Sequence, residues 1–248
     1  MQHIYLSPHQ DDVCFSLAHQ ISNTPGALII NLFNKSNYIA NISMRRELKK
    51  RGGDWVQIVS EARDAEDSNF VQQYNLTKLN LGLLDASLIP DIEGEAGDVN
   101  FEVKLLNRVL IDSILTRMKS YPLDLFSIYC PMAIGRHRNH YSTLMSIISN
   151  YEFLSKMGKI YFYEDYPYAF DYQARVSGIA HFKKYFPEAR FTKNSFSLSG
   201  DDLNKKVSAI LQYGSQCIGN DLNINYSIAK HIFRIETLWH VEIDPLEI

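Results

Sequence analysis

One hexapeptide constrains this chain more than any other stretch. Ser7-Pro8-His9-Gln10-Asp11-Asp12 stands where a short apolar run with Ile4 and Leu6 ends and a helical pattern begins. One imidazole and two carboxylates within four positions make a metal cradle when the chain turns sharply after a strand. Zinc takes nitrogen from His and oxygen from Asp, and a catalytic zinc site keeps three protein ligands and leaves the next position to water. His9 and Asp12 are three apart, so a tight turn can aim both at one ion. Asp11 then stays free beside the bound water, placed to take its proton while the metal lowers that water's pKa toward ~7. An Asp pair after a strand equally suits a helix cap, because carboxylates accept from unpaired N–H groups. The metal reading therefore requires a second source of ligands.

Gly135-Arg136-His137-Arg138-Asn139-His140 supplies one. It follows a strand-like run at 125–130 closed by Pro131 and precedes a helical stretch at 142–151. His137 and His140 are three apart and share one face once that helix has begun. Both motifs thus lie after a strand and before a helix, and in an open α/β sheet such positions share the carboxyl-end edge where ligands bind. A lone His-x-x-His is more often a pair of surface or capping histidines; its matching position gives it weight.

With these motifs in order, the chain resembles the zinc-dependent de-N-acetylases of the PIG-L (LmbE-like) superfamily, a bacterial branch in particular. Pro8-His9-Gln10-Asp11-Asp12 is similar to the family's first motif, and His137-Arg138-Asn139-His140 to its His-x-Asp-His. Arg63-Asp64-Ala65-Glu66-Asp67 looks like its Arg-x-x-Glu-Asp helix, and Leu81-Gly82-Leu83-Leu84-Asp85-Ala86 like its Leu-x-Leu-x-Asp-Ala segment. Tyr163-Glu164-Asp165-Tyr166-Pro167-Tyr168-Ala169 and Tyr213-Gly214-Ser215-Gln216 resemble later signatures of the branch. The resemblance implies that His9, Asp12 and His140 bind zinc and that Asp11 is the general base. It also implies that His137 stabilises the oxyanion and protonates the leaving amine, and that Arg63 contacts substrate. The implied activity is hydrolysis of an N-acetylated sugar or glycoconjugate to acetate and a free amine. Asn139 departs from the family Asp, and loss of that negative charge disfavours a protonated imidazole nearby. Val13, where many relatives carry an acid, reads as helix packing. Two histidines and one carboxylate suit Zn2+, and Fe2+ or Mn2+ can occupy similar ligands.

The expected fold is a Rossmann-like three-layer α/β domain spanning 1–248, with a mostly parallel central sheet and an irregular, aromatic-rich C-terminal extension over 166–248. At 248 residues and 46% apolar composition, the chain can bury a sizeable core without staples. A formal charge of −3 gives no basic field and excludes nucleic acid as the expected partner. Three scattered cysteines form no disulfide framework, and no run approaches a membrane span; a cytoplasmic protein is expected. Cys14 is close enough to the motif to be a nucleophile, but a small buried thiol is the simpler reading. No coiled-coil heptads point to an oligomer.

Along the chain, 12–22 reads as helix, 27–33 as a buried parallel strand, and 54–74 as a helix capped by Asp54. Arg63 lies off the apolar stripe of that helix, where a charge is usually exposed. Residues 35–55 carry Arg45, Arg46, Lys49, Lys50 and Arg51, either a solvated face or a lid for an anionic substrate. Glu93, Glu95 and Asp98 lie in a Gly- and Pro-containing stretch that reads as a surface loop. Glu164 and Asp165 end a strand at 159–163 and suit either sugar hydroxyls or the orientation of a ligand histidine. The aromatic tail from Tyr166 suits a sugar-covering wall or core packing, with an edge strand at 191–198.

Two other readings of the same motifs are a thiol-conjugate amidase and a non-catalytic carbohydrate-binding relative. A dinucleotide oxidoreductase is disfavoured, because the first strand lacks the Gly-x-Gly-x-x-Gly turn that lets backbone approach pyrophosphate.

Overall fold

The computed structural model describes residues 2–89, 99–118, 126–217 and 226–243. Its first strand, β1 (Gln2–Ser7), is the strand that the sheet grows from on both sides. Ile4, Tyr5 and Leu6 are fully buried because both faces of β1 are covered, which is why the segment reads as apolar rather than alternating. After α1 (Asp12–Ser22) the chain returns as β2 (Leu28–Asn31), parallel to β1. α2 (Ile42–Lys49) and α3 (Trp55–Gln73) then lead to β3 (Thr77–Asn80), parallel to β2 at the edge.

α4 (Val99–Met118) carries the chain back across, so that β4 (Phe126–Pro131) pairs with the free side of β1. α5 (Arg138–Ser149) and the short α6 (Tyr151–Ser155) lead to β5 (Lys159–Tyr163), parallel to β4. The remaining chain runs through α7 (Tyr172–Lys183), β6 (Arg190–Ser197), α8 (Gly200–Ile210), α9 (Gly214–Cys217), α10 (Tyr226–Ile232) and β7 (Ile235–Glu242). The strand order is β3-β2-β1-β4-β5-β7-β6, parallel through β5 and antiparallel at β7 and β6, with helices on both sides. β6 is the edge strand that its alternation predicts. The tail is more regular than expected, since β7 inserts between β5 and β6 and becomes part of the central sheet.

The strand order places a topological switch between β1 and β4. β2 and β3 build away on one side and β4 and β5 on the other, opening a crevice at the carboxyl ends of β1 and β4 where ligands bind in such sheets. Both histidine motifs begin at those ends.

α1 bends at Leu17 (φ −136°, ψ 21°). Glu236 of β7 accepts the N–H groups of His19 and Gln20, just past the bend, at 2.8 and 2.9 Å. Lys206 of α8 sits 2.9 Å from Glu236 and donates to the carbonyl of Ser16 at 3.3 Å. Lys206 and Glu236 are fully buried, so the pair fixes the helix that begins with Asp12. α2 docks on α3 through a small cluster of Ile39, Leu48 and Val59. Glu93, Glu95 and Asp98 lie outside the described residues. Among those described, no helix is long and apolar enough to cross a membrane.

Candidate metal centre and active site

The turn after β1 is tied by its own side chains. Ser7 Oγ donates to the carbonyl of His9 and accepts from the Val13 N–H, while Asp12 Oδ2 accepts the backbone N–H of His9 at 2.7 Å. His9 Nδ1 lies 3.1 Å from the same Asp12 oxygen. The turn after β4 needs left-handed backbone at Ala133, Gly135 and Arg136 (φ 59°, 82° and 56°), and it delivers His137 as the cap of α5. His140, one turn into α5, brings Nε2 to 3.1 Å from Asp12 Oδ2.

The outer nitrogens of both rings are held. His140 Nδ1 donates to Asp165 Oδ1 at 2.7 Å, and His9 Nε2 faces Asn139 Oδ1 at 3.1 Å, an oxygen that also accepts the Ala86 N–H at 3.0 Å. With those protons assigned by their acceptors, His9 Nδ1 and His140 Nε2 are left as lone pairs directed at one carboxylate oxygen. Two lone pairs and an anion cannot rest together without a positive charge.

Protonation can supply such a charge. Burial pulls His140 down, but the negative charge of Asp12, 3.1 Å away, and the charge and hydrogen bond of Asp165 overcome it and push its pKa up to about 10. Burial opposes protonation of His9 as well, yet Asp12 and Asp85 raise it. Asp12, despite burial, is held well below the usual carboxylate range by His140 and His9. His137 goes the other way. Burial and the neighbouring His9 and His140 push it down to about 4, and its Nδ1 is buried without a hydrogen-bond partner among the described residues.

The donor set fits a divalent ion. Nitrogen and oxygen ligands at ~2.0–2.2 Å from one tetrahedral ion are separated by roughly 3.3–3.6 Å, and Asp12 Oδ2 stands slightly inside that spacing, 3.1 Å from each histidine. His140 Nε2 is buried with no hydrogen bond of its own among the described residues, an orphan that a metal would satisfy. Ring nitrogens of His9, His137 and His140 also lie within 4.8 Å of one another, so His137 borders the same point.

Asp11 faces the same crevice, with Oδ1 paired to Arg63 at 2.7 Å. Arg63 is 4% exposed, although its place off the apolar stripe of α3 suggested a solvent position. The inner face of α3 is polar: Arg63 holds Asp11 and approaches Asp85 at 4.0 Å, while Glu66 accepts the N–H and hydroxyl of Ser215. Burial pushes Glu66 up to about 6. Hydrophobic periodicity cannot detect a helix that buries charge against charge.

A cavity of about 340 Å³ opens over these groups, walled by Phe15, Tyr38, Pro167 and Tyr168 and edged by Asp85, Ser87 and Gln216. Tyr168 occupies the space a side chain at Gly135 would fill, and its ring meets His140 edge-on at 5.7 Å. Of the aromatic tail, Pro167 and Tyr168 reach this cavity; Phe182 and Phe186 are core. Asp165 stands behind His140. Glu164 does not line the cavity, because Arg175 grips it at 2.5 and 2.9 Å and Trp239 Nε1 donates to it at 3.0 Å. The basic residues of α2 do not line it either. Cys14 is buried and its thiol pushed far up by burial, which removes it as a nucleophile, and Val13 is core. Tyr38 carried no signal in the sequence, whereas Asp85, Tyr168 and Gln216 lay in recognisable segments without an assigned role.

No family model matches this chain, nor does any curated protein sequence. Solved structures do. An antimicrobial-reagent pseudoaglycone deacetylase is 17% identical, with 96% of each chain covered and a TM-score of 0.64. A deacetylase of the teicoplanin biosynthesis pathway is 18% identical over 99% of this chain and 100% of that one, with a TM-score of 0.65. The zinc inhibited form of a teicoplanin deacetylase is 19% identical over 99% and 100%, with a TM-score of 0.64. At these identities the likeness establishes that this chain has the fold of those deacetylases.

Proposed function

We propose that the protein is a metal-dependent amide hydrolase that removes an N-acetyl group from an amino sugar or its conjugate, as the PIG-L resemblance implies. One observation carries the reading: His9 Nδ1 and His140 Nε2 converge on one oxygen of Asp12, 3.1 Å from each, beside Asp11. The deacetylase fold supports it. His9, Asp12 and His140 would hold Zn2+, with Fe2+ or Mn2+ able to use the same donors. Such an ion, when bound, supplies a Lewis acid and a water that ionises near neutral pH.

The chain's own groups do the rest. Arg63 fixes one oxygen of Asp11, so the other is presented to the crevice as the proton acceptor. His137 donates an N–H toward the carbonyl oxygen as charge develops there. A neutral ring has one such proton to share, so Asp11 is the better carrier of the proton that leaves with the amine. Tyr168, Pro167 and Phe15 cover apolar sugar faces, and Asp85 and Ser87 meet hydroxyls. A volume of about 340 Å³ is at the small end of ligand pockets, which suits one sugar ring. Three free, buried cysteines support a reducing, cytoplasmic setting.

Acetate release from a panel of N-acetylated sugars, with metal content determined first and a chelated control, tests the reading. Release should be abolished by chelation. His9→Ala should lose metal and activity together, whereas Asp11→Asn should keep metal and lose turnover; a metal-free Asp11→Asn protein would refute that division of roles.

A further inference from the structure

The turn at residues 166–170 has a cavity on each side. Pro167 and Tyr168 face the acidic crevice just described, which holds Asp11, Asp12 and Asp85. Tyr166, Ala169 and Phe170 face a second cavity of about 480 Å³, and its charge is reversed. Arg175, Lys193 and Arg234 line it together with His231, and among the described residues no carboxylate does. In a chain with a formal charge of −3, three cations around one hollow are a local departure from the average.

The other lining groups give this hollow a shape. Tyr172 is 70% exposed and Phe170 48% exposed, leaving two aromatic rings open beside the cations. Ser195 and Thr237 contribute hydroxyls 3.2 Å apart from the sheet. Arg175 spends Nε and one terminal nitrogen on Glu164, which holds the guanidinium still. Lys193 lies over the Trp239 ring at 5.6 Å, and neither Lys193 nor Arg234 has an ion-pair partner among the described residues. Positive charge, open ring faces and hydroxyl donors therefore converge on one concave surface.

We infer that this second cavity binds an anion carrying a flat ring, such as an aryl phosphate or carboxylate. The cations recognise the acid group and Tyr172 and Phe170 cover the ring. A ligand here would press on the opposite side of the turn that presents Tyr168 to the crevice. The inference stands on charge and shape at this cavity and does not depend on the hydrolase reading.

Calorimetric titration of the protein as isolated with phenyl phosphate tests it, with inorganic phosphate and benzyl alcohol as the charge-only and ring-only probes. Phenyl phosphate should bind at least tenfold more tightly than either. The Lys193→Gln/Arg234→Gln double variant should weaken it tenfold or more, and Tyr172→Ala several-fold. All three side chains are exposed, and circular dichroism would verify that the variants are folded. Absence of phenyl phosphate binding, equal binding of inorganic phosphate, or undiminished binding in the folded variants would each overturn the inference.

Discussion

Asp165 Oδ1 accepts the Nδ1 proton of His140 at 2.7 Å, and Asp165 Oδ2 accepts the backbone N–H of Ile134 at 2.9 Å. One carboxylate thus fixes a candidate ligand and the turn leading to it. Asp165→Asn can accept only one of these protons and must point an NH2 at the other. Metal affinity should fall ~10- to 100-fold, as it does when a partner behind a ligand histidine is lost, with circular dichroism unchanged. Competition with a chelating dye measures it.

Metal loading should release protons. His140, pushed up to about 10, holds a proton near pH 7 without an ion, and a ligand must give it up. The heat of loading should therefore vary with buffer ionisation enthalpy, and affinity should climb as pH rises toward 10. Because folding raises His140 above its ordinary 6.5, protonation stabilises the chelated protein fully below that value and progressively less up to about 10. The melting temperature of chelated protein should fall across this window.

Gly135→Ala should disturb the cavity wall. A Cβ there would lie 2.7 Å from the Tyr168 ring, on a backbone with φ of 82°. The expected cost is about 1–3 kcal/mol in urea unfolding, and KM should rise more than kcat falls if Tyr168 covers substrate. Gly52→Ala, with nothing within 4 Å of its Cβ, is the control for backbone strain alone.

Lys206→Met leaves Glu236 buried without its counter-charge. Breaking such a pair typically costs about 3–5 kcal/mol, and the two amides that Glu236 accepts place the expected value near the lower figure. Chemical denaturation reads it. Adding Glu236→Gln should recover part of the loss, because the uncompensated charge is then gone.

The two histidine turns were legible because each packs its ligands into a few consecutive residues after a strand, so spacing alone brings His9 near Asp12 and His137 near His140. The parallel half of the sheet was legible for a related reason, since buried strands such as Leu28–Asn31 are continuous apolar runs. What the sequence concealed is charge that satisfies charge. Arg63, Glu66 and Asp67 all lie on the buried face of α3, and Lys206 with Glu236 joins elements 30 residues apart, yet a hydrophobicity pattern assigns each of them to solvent. Asp165 was assigned to sugar hydroxyls or to a ligand histidine, and only the fold of β5 against α5 brings it to His140. Glu164, one residue earlier, points to the opposite side, as successive residues at the end of a strand do.

The insertion of β7 between β5 and β6 also sets an order of events during synthesis. Every residue from His9 to Asp165 leaves the ribosome before Ile235, yet β5 has no neighbour on its outer side, and β6 no partner at all, until β7 arrives. The nascent chain therefore carries its complete set of candidate ligands beside an open sheet edge, which is the template for pairing with a second chain. A transcript cut short before Ile235 would yield not a merely weakened fold but an aggregation-prone chain.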